Sequence, residues 1–259
     1  MTKNFKRFIV YFLVSSILII VFAFSNKEYN NKTINNIDIS ILYYNKDTLI
    51  TAQEIKNTIE NIITNRKISQ IDPGLIELRC MNIPWVKSAE VFITLDGNIL
   101  INVVQRNPLL RIWKNNEQSI YLDYSGFFPL KEDRSTRVIN VSGYIPAKEF
   151  ILQPPAKDSV KNTDLHQNMF YELLNLANYI YKDDFLNAIT EQFYIQPDKE
   201  ICIEPKIFNH TVLFGKIENI EEKFVKLKTL YSYLFEKNEI NKYKLINLSY
   251  KDQAVCTKK

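Results

Sequence analysis

The sequence predicts an α+β chain in three parts: a single N-terminal transmembrane helix, a small strand–helix–helix–strand–strand module, and a mixed β domain with flanking helices. Three observations carry this reading. A basic start is followed by a long uncharged apolar run. An Asp-Gly pair sits between two stretches of apolar/polar alternation. Beyond it, runs of period two and runs of period 3.6 take turns to the end of the chain.

Lys3, Lys6 and Arg7 precede Phe8 to Phe24, a run of 17 residues without a charge. As a helix it spans about 25 Å, the short end of what crosses a bilayer. The basic flank places residues 1–7 in the cytoplasm and all that follows outside, a single-pass protein of the cytoplasmic membrane. The alternative is a signal peptide cleaved after Val21-Phe22-Ala23. Bulky Phe22 and Phe24, and a run longer than the usual h-region, favour the anchor. Residues 25–36 are polar and Asn-rich and read as a linker.

Residues 37–107 read as the small module. Ile37, Ile39 and Ile41 alternate as a strand. Thr51 with Glu54 forms a capping box, and Ile55, Ile59, Ile62 and Ile63 fall on one face of the helix it starts. Asp72-Pro73-Gly74 offers a cap and a first-turn proline, and Leu75, Leu78 and Met81 follow at helical spacing until Pro84. Ala89, Val91, Ile93 and Leu95 then alternate up to Asp96-Gly97, and Ile99, Ile101 and Val103 alternate after it. Asp-Gly supplies the positive φ angles of a type I′ hairpin turn.

This order of elements, with Ile83-Pro84-Trp85-Val86-x-x-Ala89-x-Val91, the Asp96-Gly97 hairpin and Gln105-Arg106-Asn107-Pro108, resembles the POTRA domain of the FtsQ/DivIB family of bacterial cell-division proteins. The family usually carries Glu where this chain has Gln105. POTRA modules also occur in outer-membrane assembly and secretion proteins, which leaves an export or assembly component as an alternative. Such proteins carry tandem modules and a barrel, and 259 residues leave no room for them.

Residues 108–259 read as the β domain. Leu109–Trp113 and Ser119–Tyr124 are strands around a turn at Lys114–Glu117, and Tyr121 to Leu130 has the shape of the family's Asp-x-x-Gly segment. Val138–Val141 adds a strand, residues 147–162 form a loop around Pro154-Pro155, and Asp164 caps a helix through Leu165, Met169, Leu173, Leu176, Ala177 and Ile180. Phe193–Ile195 and Ile201–Ile203 flank Pro197-Asp198-Lys199 as a hairpin, Thr211–Phe214 is a strand, and Ile220, Phe224, Leu227, Tyr231 and Leu234 define an amphipathic helix. Tyr243–Lys251 is the last strand, with Ile246, Leu248 and Tyr250 on one face. After it, Asp252 to Lys259 is short and polar. Leu213-Phe214-Gly215, the helix with Lys223 and Leu227, and Ile246 to Tyr250 resemble the end of the FtsQ β domain.

Motifs for chemistry are lacking. The two histidines, His166 and His210, lie in no nucleophile–base pattern and read as surface residues; Asp183-Asp184, Glu132-Asp133 and Glu221-Glu222 read as solvated pairs. An exported enzyme of unrecognised type stays as a second alternative. No catalytic, cofactor or metal residue is expected. Three cysteines, Cys80, Cys202 and Cys256, form no cluster, and only a Cys202–Cys256 pair is open to an oxidising compartment. A net charge of +4, interleaved almost everywhere, argues against nucleic acid, and no small-molecule substrate is implied.

What remains is binding. An edge strand offers unpaired N–H and C=O groups to a strand from another chain. By resemblance to the FtsQ family, the closing strand holds FtsB/FtsL-like single-span partners among other divisome subunits, which places the chain at the division septum. Asn247, Leu248, Ser249, Tyr250 and Lys251 are the residues expected on that edge.

Overall fold

The structure is a computed structural model describing residues 3–44, 47–114, 118–145 and 169–259. The loop expected at residues 147–162, the cap at Asp164, Leu165 and His166 lie outside the described residues. Two compact units divide the chain: Met1–Tyr44 with Ile50–Gln105, and Asn45–Leu49 with Arg106–Lys259.

The first unit opens with α1, Lys3–Asn31. The helix runs through seven residues expected as linker, and the chain after it is fastened by Ile68 N–H donating to the Lys32 carbonyl at 2.9 Å. Tyr11 to Phe24 carry many exposed apolar side chains. Among the described residues, no helix is long and apolar enough to cross a membrane. The apolar run of the sequence also includes Phe8, Ile9, Val10 and Ala23, whose side chains lie outside those described.

The module follows as β1 (Ile37–Leu42), α2 (Ala52–Ile63), α3 (Pro73–Met81), β2 (Val86–Ile93) and β3 (Ile99–Gln105). The sheet order is β1-β3-β2, with β1 parallel and β2 antiparallel to β3. The parallel pair needs a crossover, and α2 and α3 form it. The Thr51 capping box is complete: Glu54 N–H donates to Thr51 Oγ1 and Thr51 N–H to the Glu54 carboxylate. Ile55, Ile59, Ile62 and Ile63 are buried as expected. In α3 the inward side differs. Ile76, Cys80 and Met81 are buried in one core with Val91, Ile101 and Val103 of the sheet, while Leu75 and Leu78 are exposed.

The hairpin is present, but its turn is not type I′. Asp96 keeps a negative φ and only Gly97 is left-handed, at +88°. Gly97 N–H donates to the Thr94 carbonyl at 3.0 Å and Asn98 N–H to Thr94 Oγ1 at 3.1 Å, a three-residue loop closed by a left-handed glycine. A Cβ on Gly97 would lie 3.2 Å from both Ile68 Cδ1 and the Thr33 carbonyl oxygen. Gly97→Ala is therefore expected to destabilise this unit by about 1–2 kcal/mol, read as a lower unfolding midpoint in urea, from the left-handed backbone and the tight neighbours together.

The second unit is one nine-stranded sheet of order β12-β11-β10-β9-β8-β7-β4-β5-β6. Its strands are β4 (Leu110–Lys114), β5 (Gln118–Asp123), β6 (Gly126–Pro129), β7 (Ile139–Gly143), β8 (Thr190–Ile195), β9 (Ile201–Pro205), β10 (Thr211–Gly215), β11 (Tyr243–Asn247) and β12 (Val255–Lys258). The helices are α4 (Met169–Tyr181), α5 (Asp184–Ile189) and α6 (Ile220–Glu236). Parallel pairs β7–β8 and β10–β11 are joined through helices, α4 with α5 and α6 respectively. Phe193, Val212, Phe214 and Ile246 of the sheet form one core with Leu173, Leu176, Ala177 and Ile180 of α4 and Phe224, Leu227, Tyr231 and Leu234 of α6. The helical stripes and the β8–β9 hairpin stand as expected. Asp183-Asp184 does not form a solvated loop: Asp183 caps α5 through Leu186 N–H and is hydrogen-bonded to Lys228. Those two bonds hold the Asp183 carboxyl below the usual range, the Lys228 bond first.

Two motifs separated in sequence meet in this unit. Arg106 Nε donates to Asp123 Oδ2 at 2.9 Å and Nη2 to Asp123 Oδ1 at 2.5 Å, while Nη2 also reaches the Gly126 carbonyl at 2.7 Å. The guanidinium stands 3.9 Å above the Phe128 ring. Arg106 is 1% exposed. The Asp-x-x-Gly segment is thus the acceptor for the arginine of Gln105-Arg106-Asn107-Pro108. Gln105, where the family usually has Glu, is buried in the first unit and accepts from Ile50 N–H at 3.1 Å.

Candidate functional site

The strand that ends the sheet is β12, formed by residues expected as a polar tail. It pairs antiparallel with β11, Asn247 opposite Val255, Ile246 opposite Cys256 and Leu245 opposite Thr257. β11 therefore lies inside the sheet between β10 and β12, and the closing strand expected at Tyr243–Lys251 stops at Asn247. Lys259 N–H donates to the Lys242 carbonyl at 3.1 Å. Alternation along β12 then turns the N–H and C=O of Thr257 toward β11 and leaves those of Cys256 and Lys258 on the free side.

The five expected site residues form the end of β11 and its turn into β12. Asn247 Oδ1 accepts from Ser249 N–H at 2.8 Å, a local turn that ends the strand. Leu248 is fully buried, its N–H donating to the Leu213 carbonyl at 2.9 Å, so its side chain belongs to the core. Ser249 packs on Gly215, where a Cβ would come within 2.5 Å of Ser249 Oγ. Lys226 Nζ of α6 donates to the Tyr250 carbonyl at 2.7 Å and fixes the turn. Tyr250 is 50% exposed beside it, and Lys251 is exposed. Val255 to Lys258 were missed. Their signal was Val255-Cys256-Thr257, three residues suited to a strand but too few to show a period.

The other edges are blunted. On β2, Val91 N–H donates to Glu77 Oε1 of α3 at 3.1 Å. On β6, Pro129 has no N–H and Arg106 occupies the Gly126 carbonyl. β1 carries the exposed charge of Asp38. β12 carries one exposed charge, Lys258 at its end, and among the described residues no carboxylate or guanidinium is bound to its outward backbone groups.

The titratable groups are arranged for packing. His210 is 4% exposed and not a surface residue: its ring stacks on Phe208, Nε2 lies 2.7 Å from Tyr231 Oη, and Nδ1 has no partner among the described residues. Burial pushes it down to about 4, with Lys259 adding to the shift. Lys223 is buried, donates to the Lys216 carbonyl at 2.7 Å and sits over Phe214; burial lowers its pKa. Burial raises all three thiols, Cys80 to about 11 with Glu77 contributing. Cys202 and Cys256 stand on β9 and β12, three strand spacings or about 14 Å apart, twice what a disulfide spans. Among the described residues no group of His, Cys, Asp and Glu has the arrangement of a metal site. A cleft of about 560 Å³ is lined by Asn107, Arg137, Tyr181, Asp184 and Glu191 among others, without a histidine or cysteine.

Residues 107–257 match the family described as FtsQ/DivIB, C-terminal related. The chain belongs to the FtsQ/DivIB family. Residues 32–104 match the POTRA-like domain, which covers β1 to β3. A search of curated proteins gives no match. The two matches make this an FtsQ/DivIB-like, division-associated protein with a POTRA-type module and a large β domain, of families that are generally non-enzymatic. The same boundary that divides the compact units, between Gln105 and Arg106, separates the two matched regions.

Proposed function

We propose that this FtsQ/DivIB-family chain is a non-catalytic, membrane-anchored scaffold that holds FtsB/FtsL-like single-span partners by strand addition to β12. The observation that carries the reading is the free side of β12, whose Cys256 and Lys258 backbone groups meet no partner strand among the described residues, while β2 and β6 are plugged. An incoming strand extends the ladder and satisfies those groups. Rigid support comes from Lys226 and Leu248, which hold the preceding turn and Tyr250 in place. The uncharged run from Phe8 to Phe24, behind Lys3, Lys6 and Arg7, supports an anchor in the cytoplasmic membrane with both units outside and the protein gathered at the septum.

In-cell photo-crosslinking tests this. A reactive residue at Thr257 or Tyr250 is expected to capture a small single-span protein, and one at Val225 on the exposed side of α6 is not. Equal capture at all three positions, or none in a folded and membrane-bound chain, would remove β12 from the reading. A mature N-terminus beginning after Ala23 would remove the anchor.

A further inference from the structure

We infer that the strand received at the β12 edge is acidic. The inference rests on the strand-addition reading and names the chemistry of the partner. The chain holds 33 basic and 29 acidic residues, of which five lysines and one aspartate lie in residues 242–259, so the other residues balance at 28 of each sign. The whole excess of +4 falls in residues 242–259, which run from the residue before β11 to the residue after β12.

Glu239 answers part of that charge, since it binds Lys242 and its carboxyl is also held down by the nearby charge of Lys258. Lys242 is held by Glu239 at 2.7 Å. Lys244, Lys251, Lys258 and Lys259 have no ion pair among the described residues. They bracket the free edge. Lys251 stands in the connection at one end, and Lys244, Lys258 and Lys259 stand at the other. Between them β12 presents exposed Val255 and Thr257, so the edge itself is short and uncharged until Lys258. A membrane surface or a nucleic acid asks for one broad basic face. A short strand with carboxylates beyond its two ends fits charges placed at the ends of a four-residue edge. Complementary charge of this kind acts chiefly on the association rate and on the choice of partner.

The test uses the full chain in nanodiscs of uncharged lipid and a displayed library of random twelve-residue peptides. Selection on the wild type is expected to enrich Asp and Glu, and selection on the Lys244→Glu, Lys251→Glu, Lys258→Glu variant to enrich Lys and Arg. The association rate of a selected acidic peptide is expected to fall about 10-fold between low and high salt. Cys256→Pro, which removes the outward N–H, is expected to abolish enrichment. Should that variant fail to fold, N-methylation along the selected peptide makes the same test from the other side. Peptides that need the Cys256 N–H but show no acidic bias would overturn the inference and leave strand addition standing. Acidic peptides indifferent to Cys256→Pro and to N-methylation would overturn strand addition. Loss of all peptide binding, with lysine-dependent binding to vesicles of anionic lipid, would overturn both.

Discussion

Arg106→Leu is expected to destabilise the second unit by about 3–5 kcal/mol, the cost of leaving a buried carboxylate without its cation. Asp123 is 6% exposed, and Arg106 supplies two of its hydrogen bonds; Ser125 N–H, at 2.7 Å, supplies another. Removing the guanidinium strands a desolvated charge and frees the Gly126 carbonyl at the β6 edge. It also removes the cation stacked on Phe128. Asp123→Leu leaves the mirror-image defect and is expected to cost a similar amount. The paired replacement Arg106→Leu with Asp123→Leu is expected to recover most of the loss, because two apolar groups carry no stranded charge. Urea unfolding of the four chains measures the coupling directly. A single-variant loss under about 1 kcal/mol would mean that water reaches the pair and that it ranks with surface ion pairs.

The same residues show what a sequence discloses. Gln105-Arg106-Asn107-Pro108 and Asp123-x-x-Gly126 were each visible as motifs, yet nothing in spacing says that one is the counter-ion of the other; the β4–β5–β6 meander brings them together. The hairpin, the capping box and the stripes of α2, α4 and α6 were legible because local chemistry and burial agree there. β12 was not. Ile246, Leu248 and Tyr250 continue the alternation of β11, which extends the expected strand to Lys251. Tertiary bonds end it instead: Asn247 captures Ser249, Lys226 captures Tyr250, and Asp252 adopts a left-handed φ of +58° that returns the chain. β6 escaped because Phe127 and Phe128 are both buried and show no alternation, and α5 because six residues are too few for a helical period. The outermost strand thus lies one strand later than the expected closing strand, with Tyr250 and Lys251 in the turn that leads into it.

Stability of the second unit is expected to fall by about 3 kcal/mol as pH is lowered from 6.5 to 4, through His210 alone. In the fold its pKa is pushed down from 6.5 to about 4. Between those values the unfolded chain binds the proton and the folded chain does not, so stability rises with pH across the window and is lost on descent. Geometry supplies the cause. Imidazolium has two N–H donors. Tyr231 Oη can accept one, while Nδ1 meets no acceptor among the described residues, and the ring lies against Phe208, with Lys259 adding a like charge nearby. Phe208 also packs on Tyr231 and Phe235, so charging His210 loosens the seam between β10 and α6. Carboxylates held low, such as Asp183, keep their stabilising bonds through this window and lose them only in more acid solution. His210→Gln retains a donor for Tyr231 and carries no titrating ring. Its unfolding free energy in urea is expected to stay nearly level from pH 6.5 to 4, whereas the wild type loses stability. A wild-type slope that survives the substitution would assign the acid sensitivity to other groups and show that the His210 pocket admits the charged ring.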